Sequence, residues 1–308
     1  MDTKKRYIFE DRGSNWRKWD LHVHTASSYD YAYKGEDSDK LLVDAWKENG
    51  ISVVAITDHF KIDANRIKNI RDLSKDEITV FPGVELRTDK GASNVHVILI
   101  FDVDCDIEIL EQDFNSIMLR QKAKPDDYTE DNVYWDYEHI IEFAKSKNAV
   151  ISIHSGKKTN GIDKSIRSYS TEQLPVEMAI KQEYAESVDI FEVSKKTDIL
   201  DYQQYVFQQI HERPVIICSD NHDPRDYLSK EFLWIKAEPN FSGLKQAIIH
   251  PKERVYVGEE PTKITSLRNN PEKYLSKIIV TKKDKALNSV NWFDFEVGLN
   301  IGLTTVIG

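Results

Sequence analysis

Residues 19–25 read Trp-Asp-Leu-His-Val-His-Thr, an apolar strand pattern that ends in two histidines one residue apart. Side chains two apart on a strand point to the same face. His22 and His24 therefore project side by side, at a spacing that lets two imidazoles reach one metal ion. Taken alone, such a pair also describes two ordinary histidines on a half-exposed strand. The pattern's return further along the chain decides between the two.

Six more short stretches rich in Val, Ile and Phe follow. They are Ser52–His59, Ile78–Leu86, Asn94–Phe101, Ala149–Ser155, Ser187–Ser194 and Pro214–Asp220. Several are nearly continuous apolar runs, as expected of strands covered on both faces. Helical spacing falls between most of them. Ser38 is a candidate cap for a helix that stops at Gly50, and residues 106–121, 136–147, 172–186 and 200–212 are also helical in pattern. The exception is the pair GVEL and NVHVILIF, joined by RTDKGAS, which reads as a hairpin. Seven strands with mostly helical crossovers predict an α/β barrel. An open doubly wound sheet is the alternative, but no Gly-rich phosphate loop follows the first strand.

Nearly every strand ends in a potential metal ligand: His22 and His24, His59 after Asp58, Glu85, His154, and Asp220 with His222 just beyond. His96 comes early in its strand, which fits a reversed strand whose start shares the same rim. The C-terminal strand ends carry the chemistry of α/β barrels. Burying so many imidazoles and carboxylates together is costly without a partner, and a cluster of cations supplies one. His139, His211 and His250 lie on helical patterns outside this set.

The rest of the composition is unremarkable for a globular protein of 308 residues, with 40% hydrophobic and 31% charged residues. The two cysteines, Cys105 and Cys218, form no CxxC pair and suit a reducing, cytoplasmic compartment. The first 15 residues show no apolar signal-peptide core, and no apolar run approaches the roughly 18 residues of a membrane helix. A net charge of −10 argues against loose electrostatic binding of nucleic acid, though not against a local basic site.

In this order and context, HVH, TDH, GVE, VHV, IHS and SDNH resemble the PHP (polymerase and histidinol phosphatase) superfamily. The resemblance spans roughly Trp16 to Gly258. It implies a distorted seven-stranded (β/α)7 barrel with a C-terminal extension, holding two or three divalent ions of zinc, manganese or iron. The first ion would take His22, His24, Glu85 and Asp220. The second would share Glu85 and add His96 and His154. The third would take His59 and His222, with Asp30 where the family often has histidine. A carboxylate there favours manganese or iron over zinc. The alternative for Asp30 is a solvated loop aspartate.

Asp20, Asp58 and Glu192 are candidates to orient the ligand histidines. Asp58 and Glu192 are the candidate catalytic carboxylates. Glu192 either faces substrate or pairs with Lys195 or Lys196. The implied reaction is phosphoester hydrolysis. Lys157, Lys158, Arg167, Lys195 and Lys196 sit in loops after two strands and would contact phosphates on either side of the scissile one, which points to DNA or RNA ends. The rivals are a small-molecule phosphatase and a metal-stabilised scaffold that regulates an ATPase. An amidohydrolase also starts with HxH, but no clear bridging lysine ends a strand here.

Residues 1–260 thus read as the phosphoesterase domain. The stretch FLWIKAEPNFSGLKQAIIHPKERVYVGEEP resembles the end of the PHP module in TrlF-type PHP–ATPase fusion proteins. Residues 261–290 read as a basic linker with Lys282, Lys283 and Lys285. Residues 291–308 read as the start of an ATPase-like segment, with Leu303–Ile307 as the strand before a Walker A loop. The resemblance implies an ATPase domain as partner within a longer chain. An edge hairpin of a complete protein is the alternative for the last 18 residues.

Overall fold

Inward-facing side chains change character along the barrel, from apolar at one end to ionisable at the other. The strands are β1 (Asn15–Val23), β2 (Ile51–Ile56), β3 (Thr79–Arg87), β4 (His96–Ile100), β5 (Val150–His154), β6 (Ile190–Glu192) and β7 (Val215–Ile216). Their inward residues include Trp19 and Leu21, Val53 and Ala55, Phe81, Ile98 and Ile100, Val150, Ile190 and Ile216, which form one apolar cluster. The alternate residues, such as Val54, Val80, Val84, Val97, Ile153 and Phe191, belong to a second cluster shared with the surrounding helices. Each full burial of such a side chain contributes about 1.5–3 kcal/mol. The lower layers can therefore hold a polar upper layer in place. Gly83 lies between Phe81 and Glu85, where a Cβ would come within 2.8 Å of the Leu99 carbonyl and 2.9 Å of the Ile56 carbonyl.

This computed structural model describes residues 14–88, 95–118, 133–162, 184, 186–207, 211–227, 231–280 and 295–300. The seven strands lie side by side in chain order. All neighbours run parallel except β4, which is antiparallel to both β3 and β5. The expected hairpin and the reversal of the His96 strand are thus present. A bridge between Val23 and Asn221 brings the segment after β7 against the end of β1. There His24 N–H donates to the Asn221 carbonyl at 3.2 Å and Asp220 N–H to the His22 carbonyl at 3.0 Å. The result is a nearly closed barrel.

The sheet has nine strands rather than seven. β8 (Leu233–Ala237) pairs antiparallel with the first half of β1, and β9 (Val255–Val257) pairs with β8. β1 is long enough to serve β8 with one half and the β7 segment with the other. Leu233, Ile235 and Ala237, with Phe241, Leu244 and Ala247 of the helix Phe241–Ile249, join the interior cluster and cover the apolar end of the barrel.

Helices α1 (Ser38–Asn49), α2 (Ala64–Ser74), α3 (Ile107–Asp113), α4 (Tyr137–Ser146) and α5 (Lys196–Asp201) are the crossovers described. Ser38 is the first helical residue rather than the cap, and α1 ends at Gly50 with φ 67. α3 and α5 are shorter than their periodicity predicts, because each passes into a π-helical turn, Phe114–Met118 and Tyr202–Val206. Most of the expected helix 172–186 lies outside the described residues. The stretch read as a linker is structured over its described part. It holds a helix (Thr262–Asn269) and β10 (Lys277–Val280), which pairs with β11 (Phe295–Gly298) in a separate two-stranded sheet. Lys282, Lys283, Lys285 and Leu303–Ile307 lie outside the described residues.

Candidate metal centre

A β-bulge aims the two histidines of β1. Asp20 pairs with Val54 and Val23 with Ile56, so three steps of β1 oppose two of β2. The extra residue shifts the alternation. Leu21 faces the barrel interior, and Val23 faces the helices. His22 and His24 then turn inward together, with ring centroids 5.0 Å apart. Asp20 is left on the other side, where it accepts from Ser219 N–H at 3.1 Å and from the Tyr227 hydroxyl. It steadies the segment that carries Asp220 and does not touch a ligand ring.

The structure brings all nine candidate ligands to one rim. Four groups of side chains converge closely enough to hold a cation: His22, His24, Glu85 and Asp220; Glu85, His96 and His154; His24, His59 and His222; and His22, His154 and Glu192. His22 Nε2 is 3.1 Å from Glu85 and 3.3 Å from Asp220, and His24 Nε2 is 3.2 Å and 3.4 Å from the same two carboxylates. His154 Nε2 is 3.5 Å from Glu85. Asp30 is not a free loop carboxylate. Its Oδ2 lies 3.3 Å from His59 Nε2 and 3.2 Å from His222 Nε2. Asp220 itself adopts a left-handed backbone, φ 52, as strained residues at functional sites do.

Four histidines present the same nitrogen to the centre. His22 Nδ1 faces Glu192 at 3.0 Å, and His24 Nδ1 faces Ser28 Oγ at 3.0 Å. His154 Nδ1 faces the Thr159 carbonyl at 3.2 Å, and His222 Nδ1 faces the Asp220 carbonyl at 3.0 Å. With Nδ1–H donating to these acceptors, Nε2 is left as the ligating atom, the arrangement seen around bound metals. His96 is turned the other way, with Nδ1 toward Glu85 and Nε2 toward Asn160 and Arg87. The buried His59 Nδ1 has no hydrogen-bond partner among the described residues, although Glu85 is 3.3 Å away. Imidazoles and carboxylates together suit divalent metal ions.

Charge is tightly balanced here. Burial opposes the imidazolium of His22, but Asp220, Glu192 and Glu85 outweigh it and hold its pKa well above the ordinary value. Burial likewise opposes His24, which hydrogen bonds to Asp220 and Glu85 bring up to about 9. Burial and the Lys158 ammonium push His154 down to about 3. Despite burial, His22 and its neighbours keep Glu85 and Asp220 well below the carboxylate range, and His22 with Lys158 holds Glu192 at about 2.

The other expected residues separate by role. Both oxygens of Asp58 are taken by Thr25, whose N–H donates at 2.6 Å and whose hydroxyl donates at 2.7 Å. Asp58 therefore fixes the chain beside His24. Glu192 pairs neither with Lys195 nor with Lys196, but with Lys158 at 2.7 Å. Lys158 is not a rim lysine: its side chain is 9% exposed and also meets Asp220 at 2.9 Å. Lys196 is committed to Glu231 at 2.8 Å. Lys157 and Lys195 are exposed and line a cavity of about 670 Å³ beside Glu85, His96 and His154. Arg167 lies outside the described residues.

Sequence reasoning missed Arg87, Ser28 and Asn160. Arg87 lines the cavity, donates to the Tyr29 hydroxyl at 2.6 Å and lies 5.0 Å from the Phe60 ring centre. Ser28 Oγ accepts from His59 N–H at 2.9 Å while facing His24, so it joins two ligand histidines.

A nearly closed α/β barrel with this donor set at the C-terminal rim defines the class of PHP-like metal-dependent phosphoesterase folds. The family model for the PHP domain matches residues 20–209, and the chain belongs to that family. No curated protein matches it. One similar solved structure is a two-domain protein from Bacteroides vulgatus, described as containing a predicted PHP-like metal-dependent phosphoesterase. It is 17% identical, with TM-score 0.52, over 90% of this chain and 76% of that one. Another is PfuEndoQ from Pyrococcus furiosus, a lesion-specific endonuclease. It is 16% identical, with TM-score 0.51, over 80% of this chain and 60% of that one. At these identities the likeness establishes the fold. Among the described residues no helix is long and apolar enough to cross a membrane.

Proposed function

We propose that this chain hydrolyses phosphoester bonds with two or three divalent ions, and that its substrates are DNA or RNA ends. His22, His24, Glu85 and Asp220 hold the first ion, Glu85, His96 and His154 the second, and Asp30, His59 and His222 the third. The observation that carries this reading is the convergence of these side chains on one another, with Asp30, His59, Glu85, His96, His154, Asp220 and His222 lining one cavity. Divalent ions in such a site lower the pKa of bound water and stabilise charge on phosphoryl oxygens. Ser28 and Glu192 hold the His24 and His22 rings in the orientation that loading needs.

Nucleic acid as substrate is supported by Lys157 and Lys195, exposed at the cavity wall, and by the endonuclease among the similar structures. With a net charge of −10, attraction to a phosphate chain has to be local. Arg167 is part of the same proposal. Lys158 and Lys196 are removed from it by their ion pairs. We also propose, from the resemblance of residues 232–261 and of the Leu303–Ile307 run, that the chain corresponds to the PHP part of a TrlF-type PHP–ATPase protein.

A small phosphate monoester is the second reading. The cavity volume of about 670 Å³ favours it, because small-ligand pockets are of this size. The test is end-labelled DNA and RNA beside a chromogenic monoester, each with protein loaded with manganese, zinc or iron. Shortening of the oligonucleotides from an end is the expected result. Turnover of the monoester alone would establish the second reading instead.

A further inference from the structure

The fourth convergent group, His22, His154 and Glu192, is the one the proposed ion assignments leave unused. It differs from the other three in two respects. First, His22 spends Nδ1 on Glu192, at 3.0 Å, while its Nε2 faces Glu85 and Asp220. That ring cannot offer Nε2 to this group as well. Second, its carboxylate already has a cation beside it. Lys158 Nζ lies 2.7 Å from Glu192 Oε1 and 2.9 Å from Asp220 Oδ2, on a side chain only 9% exposed.

We propose that Lys158 is a built-in cation that occupies the position of a further metal ion between Glu192 and Asp220, and so fixes how many ions the centre accepts. Two carboxylates separated by one small positive group are also what a divalent ion would find there. The loop Ser155–Gly161 delivers the ammonium to that point. Lys157 N–H donates to Asp198 at 3.0 Å, and the Gly156 backbone is at φ 60, where a Cβ would strike the Asp198 carboxylate. Asp198, which is buried, holds the loop that aims the lysine. A tethered ammonium carries a single charge and cannot dissociate as a bound ion can, so Glu192 has a cationic partner behind His22 whatever metal is present. Removing one partner of a buried ion pair leaves the other uncompensated. The vacancy made by removing Lys158 should therefore draw in a divalent ion.

The inference rests on the ligand reading above, and the wild-type protein tests that separately: wild-type protein that binds no manganese at all would defeat the ligand reading itself. The experiment is a manganese titration with metal analysis at saturation, on wild type, Lys158→Met, Lys158→Arg and Lys158→Met with Glu192→Gln. Lys158→Met should saturate with one more manganese per chain than wild type. Lys158→Arg should keep the wild-type ratio, and so should the double variant, in which cation and anion are removed together. A Lys158→Met protein at the wild-type ratio or below it overturns the proposal. If Lys158→Met unfolds without metal, the proposal requires manganese to restore its fold. A variant that stays unfolded in manganese shows that no ion takes the lysine's place, and also overturns it.

Discussion

His22 turns Nδ1 to Glu192 at 3.0 Å and Nε2 to Glu85 at 3.1 Å, so one ring links an orienting carboxylate to a ligating one. Glu192 is in turn neutralised by Lys158. The rim is thus built in two layers, and only the inner one would face bound metal.

Glu192→Gln should keep the fold and weaken the first ion's binding by about tenfold to a hundredfold, the usual cost of losing the carboxylate behind a ligand histidine. Calorimetric titration with manganese measures it. An unchanged affinity would mean that Glu192 does not set the orientation of His22.

Loading should expel protons. His24 titrates at about 9 and His22 is also raised, whereas an imidazole must be neutral to bind a metal. Manganese affinity should therefore climb with pH throughout the range below these folded values, which includes the window from about 6.5 to about 9. The metal-free protein has the opposite trend. A histidine whose pKa is raised by folding stabilises fully below its ordinary value, and that contribution is lost as pH rises through the folded value. The melting temperature without metal should fall over the same window. Paired titrations at several pH values, in buffers of different ionisation enthalpy, count the protons released.

Lys157→Ala with Lys195→Ala should slow oligonucleotide cleavage by about tenfold while leaving a small chromogenic phosphodiester within about twofold. The salt dependence should also flatten, since fewer phosphate contacts release fewer counterions. Equal losses on both substrates would favour the small-ester reading.

The ligand set was legible because its residues punctuate strands. HVH, TDH, GVE and SDNH each close an apolar run, so the ligand positions fall at strand ends, although the bulge and not alternation turns His22 and His24 inward. Asp30, Lys158 and Arg87 were harder for one physical reason: their positions depend on how loops fold against other strands. Nothing local tells Lys158, buried against Glu192, from exposed Lys157 beside it. Arg87 opens RTDKGAS and reads as part of the hairpin connection, yet it is buried and donates toward His96. β8 and the helix after it escaped notice because they cap a barrel whose interior only the tertiary fold creates. The bulge at Asp20–Val23 is equally invisible, since it appears only in the pairing with β2.

Glu85 stands at the centre of this account, placed within reach of His22, His24, His59, His96 and His154. The most direct measurement is metal content and phosphodiester turnover of Glu85→Ala beside wild type, both loaded with manganese and passed over a desalting column. The account predicts at least two ions per chain in wild type, loss of bound metal in the variant as in His22→Ala with His24→Ala, and turnover reduced below detection. A folded Glu85→Ala protein that keeps the wild-type metal content and turnover would contradict it.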